Sequence, residues 1–218
     1  MADMTTPEES TLIHDWAADG PRRAHWPAHV MIDDETLRDG LQSPSVNDPS
    51  VETKLQILHL MESLGIETAD VGLPGASARQ CEAVVRLCRE IAQHGLRIRA
   101  NCAARTLIVD IRPIAEASQL TGVPIEACLF IGSSPIRQYA EEWELADILR
   151  HSREAIAFAV REGLEVMYVT EDTVRSSPDH LRVLLTAAAC TPVAVRNASL
   201  PMMGVLTAMG TRVTWETN

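Results

Sequence analysis

The densest run of chemically capable side chains is Asp34-Glu-Thr-Leu-Arg-Asp-Gly-Leu-Gln42, which directly follows the short apolar run Val30-Met-Ile-Asp33. Arg38 carries its charge at any working pH and presents a planar fork of donors, a group suited to an oxygen that gains negative charge during a reaction. By itself Arg38-Asp39 before Gly40 describes a loop ion pair and a turn equally well. A second group, Glu171-Asp-Thr-Val-Arg175, follows the run Leu164 to Val169. Its carboxylates could hold a substrate or move protons, or form a structural ion-pair cluster with Arg175. Between the two lie Asp70-Val-Gly-Leu-Pro74, Arg105 with Asp110-Ile111, and Phe130-Ile-Gly-Ser-Ser-Pro-Ile136.

All of these follow strand-like runs that alternate with helical patterns. Pro49 to Leu64 places Ile57, Leu60, Met61 and Leu64 at helical spacing, and Gly65 closes it. Ile66 to Val71 reads as a strand, followed by a helix capped by Ser77, with Cys81, Val84, Val85, Cys88, Ile91 and Ala92 as its stripe and Gly95 as its stop. Leu96 to Asn101 and Leu107 to Leu120 repeat the pair, with Pro113 in the first helical turn or kinking the helix. Ile125 to Ile131 precedes a helix over Trp143 to Glu162, which Gly163 ends. Leu164 to Val169 precedes Pro178 to Ala189. Five strand-helix units predict parallel strands with crossover helices, in an α/β barrel or a doubly wound sheet. In both, ligands sit at the C-terminal ends of the strands, where the polar groups fall.

Taken together, the strings resemble one family. Asp34 to Gln42 is similar to the first-strand signature Asp-x-Thr-Leu-Arg-Asp-Gly-x-Gln of the metal-dependent barrel enzymes that make or break carbon-carbon bonds beside acyl-CoA thioesters: isopropylmalate, homocitrate and citramalate synthases and HMG-CoA lyase. Asp70 to Pro74 resembles the second-strand Glu-x-Gly-x-Pro, with Asp70 in place of Glu. Arg105 with Asp110-Ile111, Phe130 to Ile136 and Glu171 to Arg175 resemble the third, fourth and fifth strand ends, although Arg137 stands where many members have His. The resemblance covers residues 30 to 190 and leans towards bacterial 2-isopropylmalate synthases. It implies an incomplete (β/α)8 TIM barrel with about five units present.

The same resemblance implies a Claisen-type condensation of acetyl-CoA with a 2-oxo acid, in leucine biosynthesis. It makes Asp39 the carboxylate ligand of a divalent metal, Mg²⁺, Mn²⁺ or Zn²⁺, which would polarise the ketone. It gives Arg38 and Glu171 catalytic roles, and makes Gln42, Asp70 and Arg105 substrate-binding residues. A carbon-carbon lyase of the HMG-CoA type and a non-catalytic barrel fragment are the alternatives. The family completes its metal site with a His-x-His pair and an Asn. The seven histidines here, His14, His25, His29, His59, His94, His151 and His180, include no such pair and read as surface or packing residues, so metal binding by this chain alone is expected to be weak or absent.

Composition bounds the rest. The chain has 218 residues, 46% of them apolar and 22% charged, with a net charge of −11. That acidity, without a run of Lys or Arg, argues against nucleic acid as a partner. No signal-like or membrane-spanning segment is evident, so a cytoplasmic protein with small-molecule partners is expected, with homo-oligomerisation left open. Five scattered cysteines suggest buried reduced thiols. Residues 1 to 29 read as an extended leader, 30 to 190 as the partial barrel, and 191 to 218 as a divergent tail in which only Arg196, Arg212 and Glu216 are charged and no strand-helix order is evident. That collapse of charge, and a barrel that ordinarily needs about 250 residues, lead to the expectation of a truncated or frameshifted synthase with impaired activity.

Overall fold

Serine caps and apolar stripes set the helices. The computed structural model describes residues 31–190 and the main chain of 202–206 and 211–215; the expected leader over 1–29 lies outside the described residues. Strand β1 (Asp33–Asp34) is followed by a 3-10 turn (Gly40–Gln42) and helix α1 (Val51–Leu64), β2 (Thr68–Asp70) by a 3-10 turn (Pro74–Ala76) and α2 (Ala78–His94), and β3 (Arg99–Arg105) by α3 (Ile108–Thr121). β4 (Ile125–Gly132) leads to a short α4 (Pro135–Glu141) and then α5 (Leu145–Arg161); β5 (Glu165–Glu171) leads to a 3-10 turn (Thr173–Arg175) and α6 (Pro178–Ala189). Ser50, Ser77, Ser134 and Ser177 each accept a main-chain N–H of the helix they precede, which satisfies a donor that has no partner within the helix.

The five strands are parallel and adjacent in chain order, forming a half-barrel of α/β type. Alternation along each strand divides the residues between two faces. Ala69, Ala100, Cys102, Ala104, Ile125, Ala127, Leu129, Ile131, Val166 and Tyr168 join Leu58, Val84, Ile111, Ile148, Ile156 and Leu184 of the helices in one core. Small strand residues let the helices approach closely. Gly75 does the same beside α3, where an added Cβ would lie 2.8 Å from Asp110 Cα.

Several expected boundaries move. Among the described residues the first strand is Asp33–Asp34. The third continues through Cys102-Ala-Ala to Arg105, which puts Asn101 in mid-strand, fully buried. On α1 the buried residues are Lys54, Leu58 and Met61, whereas Leu60 and Leu64 are 62% and 77% exposed. On α2 Ala92 is exposed and Leu87 is buried. Pro113 is the sixth residue of α3, past its first turn. The strand-end motif obscures the start signal of helix α4, whose cap and first position are Ser134 and Pro135. Of the cysteines, all five are free, and Cys88, Cys102 and Cys128 are buried, but Cys190 is exposed. In the tail, β6 (Met202–Leu206) pairs antiparallel with β7 (Thr211–Trp215), a two-stranded ladder that departs from the strand-helix alternation before it. The β-branched and aromatic residues of Thr211-Arg-Val-Thr-Trp215 suit a strand.

Candidate active site at the strand ends

On the face opposite the helices, β2 presents Thr68 and Asp70, β3 presents Asn101, Ala103 and Arg105, β4 presents Cys128 and Phe130, and β5 presents Met167, Val169 and Glu171. The alternation that buries their neighbours under the helices puts them there. Register separates the predicted residues along this face. Asp70 pairs with Asn101, Arg105 with Phe130, and Glu171 with Gly132.

Arg38 is the hub of what does come together. Its Nε donates to Asp70 Oδ2 at 2.9 Å and its Nη1 to Asp39 Oδ1 at 3.0 Å, while Nη2 lies 2.9 Å from Glu35 Oε2 in an ion pair without hydrogen-bond alignment. Asp70 is fully buried and its other oxygen accepts the Gly72 N–H at 3.0 Å. Gly72 has φ +149, and a Cβ there would meet Val84 Cγ2 at 2.8 Å, so the Asp-x-Gly spacing is required by the backbone that wraps the carboxylate. Burial, reinforced by the Glu35 charge and opposed by Arg38, pushes Asp70 up to about 7. Burial also raises Glu35 above its ordinary value, against the pull of Arg38. For Arg38 itself burial works against the charge, but Asp70 and Glu35 outweigh it and hold the guanidinium above its ordinary value. Glu35 is the residue missed in sequence; its signal was the i,i+3 spacing to Arg38.

The other predicted residues stand apart from this hub. Asp39 is 63% exposed and bound by Arg38, and Gln42 is exposed in the 3-10 turn after β1. Arg105 is turned to Asp110, with Nε 2.5 Å from Oδ2 and Nη2 3.0 Å from Oδ1, a bidentate pair in which only Asp110 is buried. Glu171 gives its main-chain carbonyl to the N–H and hydroxyl of Ser133. Its neighbour Asp172 pairs with Arg175 at 2.6 Å and accepts from Ser134. For Asp172 and Arg175, the structural ion-pair alternative is therefore the one observed.

A divalent ion does not fit the strand-end donors described. Asp39 brings a single carboxylate that Arg38 already holds, and Glu35 and Asp70 share the same guanidinium. Among the described residues, no three potential ligand atoms converge at this end of the sheet.

Comparisons with known proteins place these residues in context. Residues 29–202 match the family model described as HMGL-like. Homocitrate synthase AksA of Methanosarcina mazei is 33% identical over 156 residues, 72% of this chain and 36% of that protein. 2-Isopropylmalate synthase of Sediminispirochaeta smaragdinae is 31% identical over 166 residues, 75% of this chain and 32% of that protein. The chain thus spans about a third of the length of these relatives. The crystal structure of HMG-CoA lyase from Brucella melitensis superposes with a TM-score of 0.49 and 16% identity, covering 77% of this chain and 70% of that one.

Proposed function

This chain belongs to the HMGL-like family, and on that premise we propose that it serves a Claisen-type condensation of acetyl-CoA with a 2-oxo acid, as a 2-isopropylmalate-synthase-like acyltransferase of leucine biosynthesis. The relatives named as homocitrate and 2-isopropylmalate synthases support the reaction class. The observation that carries the reading is Arg38, one-fifth exposed at the end of β1, oriented from below by a fully buried carboxylate. As the acetyl carbon attacks, negative charge grows on the ketone oxygen of the acceptor. Arg38 retains N–H groups on its terminal nitrogens beyond those given to Asp70 and Asp39, and a guanidinium held in place loses little on meeting that oxygen. Asp70 is then a positioning residue that acts through Arg38. Gln42 and Arg105 bind substrate, and Glu171 holds it or moves a proton. In the family a divalent metal polarises the ketone. The strand-end donors described do not fit one, so turnover by this chain alone is slow.

Binding and turnover of the full chain test this together. Titration with acetyl-CoA and a panel of 2-oxo acids should show saturable binding of at least one acid, weakened at least about tenfold by Arg38→Ala, the scale of one charge-assisted hydrogen bond. Thiol release from acetyl-CoA should require that acid. Absence of saturable binding across the panel, or thiol release without an acceptor, overturns the reading.

A further inference from the structure

His59 and His94, 35 positions apart in the chain, come together on the helical layer. His59 lies on α1, and Glu90 and His94 lie four residues apart on one face of α2. Nε2 of His59 is 2.7 Å from Glu90 Oε1, and Nε2 of His94 is 3.3 Å from the same oxygen. The rings meet edge to face, with centroids 5.3 Å apart and planes at 85°. One potential ligand atom from each of the three residues falls within 4.8 Å of the other two, and this is the one such group among the described residues. We propose that His59, Glu90 and His94 form a binding site for a divalent transition-metal ion of the zinc type, on the helical layer and separate from the strand-end site.

The chemistry favours a borderline ion over Mg²⁺ or Ca²⁺. Two imidazole nitrogens and one carboxylate oxygen make a three-ligand set with an open fourth position for water, whereas hard cations demand oxygen-rich shells. Three atoms around one tetrahedral ion lie about 3.3 Å apart when each bond is about 2.0 Å. The His94 contact already has that length, and the His59 contact need lengthen only slightly. The site is open to an arriving ion: His59 and His94 side chains are 42% and 55% exposed, and Glu90 is 19% exposed. The nearby Arg86, the cation that would oppose an ion most directly, is 2.8 Å from Glu52 and offset by it. Each residue lies in the last two turns of its helix, and these helices run down to the starts of β2 and β3. The ion would therefore clip α1 to α2 at the end of the sheet remote from Arg38, as a structural or regulatory ligand rather than a reaction component.

The test is a zinc titration of the untagged full chain at pH 7.5 in competition with a chromophoric chelator, repeated with Co²⁺ to read the visible absorption of a four-coordinate ion. One equivalent should bind at micromolar or tighter affinity, with at least a tenfold loss in both His59→Gln and His94→Gln and no change in Asp39→Asn. Saturating Zn²⁺ should raise the Tm of the parent chain by several degrees and leave that of both histidine variants unmoved, with their metal-free melts serving as the folding control. A millimolar excess of Mg²⁺ should not displace it. Affinity insensitive to both histidine substitutions, loss of zinc in Asp39→Asn, or no saturable binding below about 100 micromolar overturns the proposal.

Discussion

Asp70 is fully buried between a guanidinium that favours its charge and a carboxylate, Glu35, that opposes it. The unfolded chain releases the Asp70 proton near the ordinary value of 3.8, whereas the folded chain keeps it until about 7. Between those limits the native state binds more protons than the unfolded state, so the contribution of Asp70 to stability is full below pH 4, declines as pH rises to 7, and is level beyond. Glu35, raised for the same first reason, tilts in the same direction. Asp70→Asn should therefore lose less stability than the parent on going from pH 5 to pH 8, measured as the shift in urea midpoint at constant m. An equal or steeper decline in Asp70→Asn would show that the carboxylate is ionised throughout. The residue motif Arg-Asp-Gly was legible in sequence because its types and spacing are local. The assignment of Arg38 to Asp70 rather than to Asp39 alone was not, because it depends on which strand lies alongside β1.

The helices were legible as elements and less so as faces. Ser77, Gly95, Pro178 and Gly163 mark ends by chemistry local to the chain, and α6 spans the residues expected of it. On α1, however, Leu60 and Leu64 lie on the expected stripe yet face outward, while Leu58 is fully buried. Leucines at 55, 58, 60 and 64 fit more than one helical face, and the winning face is the one that joins the shared core beside α2, which the α1 sequence does not contain. Leu58→Ala should cost about 2–5 kcal/mol by lost transfer and a cavity, whereas Leu60→Ala and Leu64→Ala should each stay within about 0.5 kcal/mol. Urea unfolding of the three variants decides it; a cost at Leu64 to match that at Leu58 would mean that this face of α1 is covered.

Across the whole molecule, the parallel half-barrel followed from repetition of strand and helix, but the tie that crosses its strands did not. Asn101 donates through Nδ2 to Asp33 Oδ1 at 2.8 Å and to Thr68 Oγ1 at 3.1 Å, and its Oδ1 receives the Cys128 thiol at 3.3 Å. One fully buried amide thereby joins β1, β2, β3 and β4 on the face away from the helices. In sequence it sat at the expected end of a strand, because the residues after it, Cys102-Ala-Ala, are too small to read as a continuing β run. A buried polar group of this kind is costly to remove because its partners are desolvated with it. Asn101→Ala should lower stability by about 2–4 kcal/mol, the sum expected for one bond to a carboxylate and one to a hydroxyl. Asn101→Asp should cost more, and increasingly so above pH 5, because a second carboxylate would face Asp33. Since one core joins residues of β2, β3, β4 and β5 to the helices, both variants should still unfold in one step, with amide hydrogen-exchange protection lost at the same urea concentration in β2 and in β5. Protection lost from β2 at a lower urea concentration than from β5 would show that the strands open independently and that Asn101 does not couple them.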